Sequence, residues 1–173
     1  METITKNIPA LALRGLTVFP RMTASFDVER EISVRALERA METGQEIFLV
    51  TQRELGVELP EEKDLYEVGT VARVIQILRA SNSMMRVVME GGSRARQREP
   101  FLQAQVELIG EEKSPRHGTR TEAMLRQTYA LFGEYSELLP KQPESIFTTV
   151  MDATDPGFLA DFIAQNSNLR YQD

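Results

Sequence analysis

The sequence predicts an α+β fold: a β-rich, partly closed barrel with one early helix, followed by a small helical subdomain. Three observations carry this. Short apolar bursts of period two run from Ile8 to about Ile109. A single stretch of helical period interrupts them, and beyond residue 121 the period becomes helical throughout.

The first strand is read from Leu11 and Leu13, which alternate with Ala10 and Ala12, so the leucines share one face and the alanines the other. The run Ile47, Phe48, Leu49, Val50 suits a strand buried on both faces. The stretch Val68 to Leu78 predicts a long strand, which pairs with Met85 to Glu90 through turn chemistry at Ser81, Asn82 and Ser83. A further strand is expected over Phe101 to Ile109, with Leu102, Ala104, Val106 and Leu108 on one face. Ser33 to Met41 is the early helix, its apolar stripe read as Val34, Leu37 and Met41, and Gly44 is placed at a left-handed cap. Many short strands with one helix suit a small barrel.

Residues 111–121 contain no sizeable apolar side chain and read as a linker, dividing the chain into a β-rich domain, 1–110, and a helical subdomain, 122–173. Leu125, Thr128, Phe132, Tyr135 and Leu139 recur every three or four residues, and Pro140 stops that helix. Ile146, Phe147, Val150 and Met151 mark a second helix. A third starts with Asp155 as N-cap and Pro156 at its first position, with Leu159, Phe162 and Ile163 on its apolar face.

Composition limits the function classes. With 20 Lys and Arg against 26 Asp and Glu in 173 residues, the net charge of −6 is wrong for a general polyanion binder. The absence of cysteine excludes disulfides and thiolate metal sites. The first apolar run is too short for a signal peptide or a membrane span, so a cytoplasmic location and no membrane partner are expected. The lone His117, in a Pro-Arg-His-Gly run, reads as a loop residue rather than a metal ligand, and the acidic run Glu54 to Glu67 reads as a solvated connection.

Several motifs in fixed order carry a family resemblance. Pro9 to Pro20 reads P-x-L-x-L-R-x-x-x-V-F-P, and Leu65 to Val74 reads LYEVGTVARV. Glu90-Gly91 precedes Arg94-Ala95-Arg96, and Asp155-Pro156 leads into Leu159-Ala160-Asp161. Together they make the chain resemble the N-terminal, substrate-recognition domain of the bacterial Lon protease family. The resemblance implies a PUA-like β pseudo-barrel with a helical subdomain, here cut before the helix that leads to the ATPase. It also implies a parent homohexamer that is an AAA+ ATPase and serine protease using ATP and Mg, in quality control and stress response. The partners implied are misfolded, damaged or degron-bearing proteins.

This stretch holds no G-x-x-x-x-G-K-[ST] phosphate loop and no cue for a Ser-Lys dyad, so neither catalysis nor a cofactor is expected within it. Gly92 and Ser93 depart from the bulkier, more basic pair usual in the family.

The candidate substrate-binding residues come from position and physical type. Met84 and Met85 follow the expected hairpin turn, where flexible thioethers on an exposed surface would adapt to many apolar partners. Phe19, Pro20 and Met22 lie in an expected loop that would extend the same patch, and Arg79 and Arg86 would steer acidic clients. Two alternatives stand beside this reading: a stand-alone adaptor with no protease attached, and a PUA-like RNA-binding module using Arg94, Arg96 and Arg98. The RNA reading is disfavoured because only Phe101 is near for base stacking.

Overall fold

A computed structural model describes residues 4–79, 84–99, 103–110, 118–139 and 143–167; for residues 98, 99 and 103 only the backbone is described. Two compact units divide at Gly110 and Glu111.

In the first unit six strands form one mixed sheet: β1 (Thr5–Leu13), β2 (Thr23–Val28), β3 (Glu46–Thr51), β4 (Val68–Arg79), β5 (Met85–Glu99) and β6 (Gln103–Leu108). Their order is β2-β5-β4-β3-β1-β6, and β6 pairs again with β5, which closes the sheet into a pseudo-barrel. β1 runs parallel to β3, and the other pairings are antiparallel. The long β5 makes closure possible: Met85 to Glu90 pairs with β2, and Ala95 to Glu99 pairs with β6.

Side-chain alternation sorts the apolar residues into two clusters. One holds Ile8, Phe48, Val50, Val71, Ala95, Ala104 and Val106. The other holds Leu11, Leu13, Ile47, Leu49, Val74, Met85, Val87 and Met89, together with α1 (Glu31–Glu42). Successive residues of β3 therefore serve different clusters, so that Ile47 to Val50 are all buried. The buried face of α1 is Ser33, Ala36, Leu37 and Ala40, at spacings of three and four. Met41, expected in that stripe, is exposed. At about 100° per residue Met41 lies roughly 90° round the helix from the centre of the face formed by Ser33, Ala36, Leu37 and Ala40. Gly44 follows α1 at φ 107°, and Gln45 N–H donates to the Ala40 carbonyl at 2.7 Å, closing the helix end.

The second unit contains α2 (Thr119–Leu138), α3 (Glu144–Asp152) and α4 (Pro156–Asn166). Residues 119–121, read as linker from the sequence, form the first turn of α2, with Gly118 as N-cap. Phe132, Val150, Ala153 and Leu159 make the core of this unit, and the Tyr129 hydroxyl donates to the Ala153 carbonyl at 2.6 Å. The expected cap of α4 is present: the Asp155 carboxylate accepts from Gly157 N–H at 2.9 Å and Phe158 N–H at 3.3 Å.

Candidate functional site

The loop from Arg14 to Met22 is fastened to the barrel at successive residues. The Thr51 hydroxyl donates to the Leu16 carbonyl at 3.0 Å, the Thr17 and Thr51 hydroxyls lie 2.9 Å apart, and the buried Thr70 hydroxyl donates to the Val18 carbonyl at 2.7 Å. Arg21, at φ 64°, turns the chain so that its N–H reaches the Gly91 carbonyl at 2.7 Å, while Gly91 N–H donates to the Met22 carbonyl at 2.8 Å. This explains why the Pro9 to Pro20 run and Glu90-Gly91 occur in one sequence: the first docks on the second. Phe19 is half-buried here and Pro20 is buried.

Two of the methionines expected at the surface are interior. Met22 is 6% exposed and Met85 is 8% exposed. Met85 belongs to the cluster under α1, because it sits opposite Val28 of β2 and on the same face of β5 as Val87 and Met89. Met84 is half-buried. Nor do the two sets of candidates meet. Met22 adjoins the Thr23 to Glu90 pair at one end of β2 and Met85 pairs with Val28 at the other, a separation of roughly 17 Å at the rise of a strand.

This burial gives a direct expectation: Met85→Ser should destabilise the fold by about 2 kcal/mol, whereas Met84→Ser should stay within about 1 kcal/mol. Urea denaturation of the two variants checks the difference.

Neither candidate arginine is an uncompensated charge. Arg86 forms a fork with Asp27, Nε to Oδ1 at 2.7 Å and Nη2 to Oδ2 at 2.9 Å. This hydrogen bond holds the Asp27 carboxyl below its usual pKa and raises that of Arg86. Arg79 Nη2 lies 3.4 Å from Glu38 of α1. Both pairs are solvent-exposed, so they orient side chains more than they stabilise the fold. Arg96 is likewise paired, with Glu67 at 3.4 Å.

The apolar groups that do reach solvent on this sheet were not singled out from the sequence. Ile75 is 55% exposed at a bulge in β4, and Leu78 is 50% exposed. Leu78 pairs with Arg86 and Gln76 with Val88, so Leu78 and the half-buried Val88 share the face opposite the one covered by α1. Past the bulge the alternation resumes out of step, with Ile77 packed on the core cluster and Leu78 turned to solvent. In the helical unit Met124, Leu131 and Leu138 are exposed at spacings of seven along α2.

A second site lies around Arg30, which immediately precedes α1. Arg30 Nη1 donates to Gln52 Oε1 at 3.2 Å and to the Glu58 carbonyl at 3.3 Å, and Nη2 donates to the Ala12 carbonyl. Gln52 is fully buried, and its Nε2 donates to the carbonyls of Glu54 at 2.7 Å and Val57 at 2.6 Å. Arg14 Nη2 reaches the Val57 carbonyl at 3.0 Å. Burial, and then the like charge of Arg14, lower the pKa of the Arg30 guanidinium. Among the described residues no group of three His, Cys, Asp or Glu side chains is placed to hold a metal ion.

The sequence of residues 7–173 matches the family model of the ATP-dependent protease La (LON) substrate-binding domain. The chain belongs to the Lon substrate-binding domain family. Lon protease of Brevibacillus choshinensis is 39% identical across 97% of the chain, and Lon protease 1 of Bacillus subtilis is 34% identical across 99%. The chain spans 22% and 23% of the length of these two relatives. The fold is similar to that of the N-terminal domain of Mycobacterium avium complex Lon protease, with a TM-score of 0.69 at 19% identity over 95% of this chain and 84% of that one. The Lon-type motifs therefore have a structural reading here: the P-x-L-x-L-R-x-x-x-V-F-P run is the latter part of β1 with the fastened loop, and LYEVGTVARV leads into and begins β4, with Thr70 as its anchor.

Proposed function

We propose that this chain is the client-engaging module of an ATP-dependent Lon protease, and that it binds unfolded or damaged proteins on the face of the β4 to β5 hairpin opposite α1. The observation that carries the reading is the exposure of Ile75 and Leu78, with the half-buried Val88 beside Leu78, on a bonded sheet in a chain of the Lon substrate-binding domain family. Rigid strands present these groups without an ordering cost on the protein's side, and unfolded chains offer the apolar segments to cover them. Arg86 and Asp27 beside Leu78 add polar contacts at the rim.

In this reading the module contributes binding only. Hydrolysis of ATP with Mg and peptide cleavage by a serine nucleophile belong to the rest of the parent homohexamer, which resides in the cytoplasm. Six copies would raise the avidity of individually weak contacts.

The test is fluorescence anisotropy with one labelled client in two forms, native and reduced-carboxymethylated. The unfolded form is expected to bind and the native form not. Leu78→Ser and Ile75→Ser should each weaken binding by about fivefold, from the apolar area lost, with thermal stability changed by less than about 1 kcal/mol. Equal binding of both forms would refute selectivity for unfolded chains, and unchanged affinity in both variants would move the site elsewhere.

A further inference from the structure

Among the described residues of the β unit, Arg14 and Arg30 are neighbouring cations whose hydrogen bonds reach no carboxylate. Each donates only to neutral acceptors: Arg14 to a main-chain carbonyl, and Arg30 to two carbonyls and an amide oxygen. A guanidinium has five N–H donors, so the three bonds made by Arg30 leave two to spare. Both arginines line one open cleft of about 530 Å³. Of the two carboxylates on that cleft, Glu31 is already bonded to Arg35, and Glu58 meets Arg30 through its main-chain carbonyl. The cleft also adjoins the N-terminal end of α1, where main-chain N–H groups add to the positive potential.

Arg30 and Ile32 are shared with a second, smaller cavity of about 40 Å³. Ala10 and Ala12 of β1, with Val50, Pro60 and Leu65, give it a mostly apolar lining, to which Ser33, Glu62 and Gln97 add polar groups. Roughly three water-sized probes would fill such a space, which suits one small aliphatic side chain and excludes an aromatic ring. The wall between apolar socket and open cleft is thus a partly buried guanidinium with donors to spare.

We propose that this pair of cavities binds the C-terminal residue of a client peptide, its terminal carboxylate held by Arg14 and Arg30 and its small aliphatic side chain seated against Ala10 and Ala12. A chain terminus is the peptide group that carries both chemistries on one Cα; an aspartate or glutamate side chain supplies the carboxylate without the aliphatic neighbour. Planar bidentate recognition is what a guanidinium offers and an ammonium does not. The proposal rests on the reading of the chain as a client-binding module and adds the feature of the client that the Arg14 and Arg30 site would read.

The test uses the full chain and three N-acetylated peptides, followed by calorimetry. The first ends in alanine-valine with a free carboxylate, the second is its C-terminal amide, and the third is amidated with an internal aspartate. The free acid is expected to bind in a salt-sensitive manner, and both amidated peptides about tenfold or more weakly, given the strength of charge-assisted hydrogen bonds. Arg14→Gln, an exposed position outside the core, should lose about tenfold for the free acid and nothing for the amide, and Ala12→Val should weaken the free acid by narrowing the socket. Thermal melts confirm that both variants are folded. Equal affinity for acid and amide, equal affinity for the aspartate peptide, or no binding of the free acid would each overturn the proposal. Binding of the unfolded client in the anisotropy assay would persist through any of these outcomes, which separates failure of this site from failure of the client-binding reading.

Discussion

Gly91→Ala is expected to lower the stability of the β unit by about 3 kcal/mol, toward the upper end of the range for overpacking a tight site. A Cβ at Gly91 would lie 2.1 Å from the Phe19 carbonyl oxygen and 3.0 Å from its carbon, and backbone atoms cannot swing aside as a side chain would. The added methyl must therefore push the Arg14 to Met22 loop away. That loop is held through the bonds of Gly91 to Arg21 and Met22 and of Thr70 to Val18, so its displacement also breaks buried hydrogen bonds. Gly110→Ala supplies the control, since nothing lies within 4 Å of a Cβ there, and it should leave stability unchanged. Thermal melts should separate the two by roughly 10 °C. Equal melting temperatures would mean that the loop is not docked on β5.

Gln52→Ala is expected to cost a similar amount, about 3 kcal/mol, by a different route. Its side chain is fully buried at the end of β3 and joins three partners: it receives from Arg30 and donates to the carbonyls of Glu54 and Val57. Truncation removes the side-chain partner of the Glu54 carbonyl and of one Arg30 donor, leaves the Val57 carbonyl with Arg14 alone, and opens a space where the amide stood, so the cost of lost hydrogen bonds adds to that of the cavity. The 52–58 segment should loosen as a unit, raising amide exchange at Glu54 to Glu58 while the strands of the sheet stay protected. Hydrogen exchange on the folded variant measures this. Uniform loss of protection across the barrel would indicate instead that Gln52 supports the whole core.

Much of the fold was legible because its signals are local. The unbroken apolar run of β3, the long β-rich stretch of β4 and the Asp155-Pro156 start of α4 each follow from a rule that needs no tertiary information. β2 escaped, although Ala24, Phe26 and Val28 alternate, because its small and polar residues give little hydrophobic signal and it is held by pairing with β5. Gly91-Gly92 misled in another way. Paired glycines normally end a strand, yet here β5 runs through them, because a loop distant in sequence approaches too closely for any side chain.

The candidate site was less legible for the same reason. Position next to a turn suggested surface methionines, but which residue of a strand faces the core depends on register, and one step inward places Met85 under α1 while Arg86 faces Asp27. Ile75 and Leu78 reach solvent because β4 gains an extra residue at Ile75, a bulge visible only once the partner strand is known. Arg30 and Gln52 had no motif to announce them. Their association depends on the path of residues 52–65 past the end of β1.

The claim that the outer face of the β4 to β5 hairpin engages unfolded protein is tested most directly by NMR titration of the isotopically labelled chain with a reduced-carboxymethylated client and with its native form. The account predicts chemical-shift changes concentrated at Ile75, Leu78 and Val88, seen with the unfolded form alone. Changes elsewhere that leave these three residues unmoved, or the same changes with the native form, would contradict it.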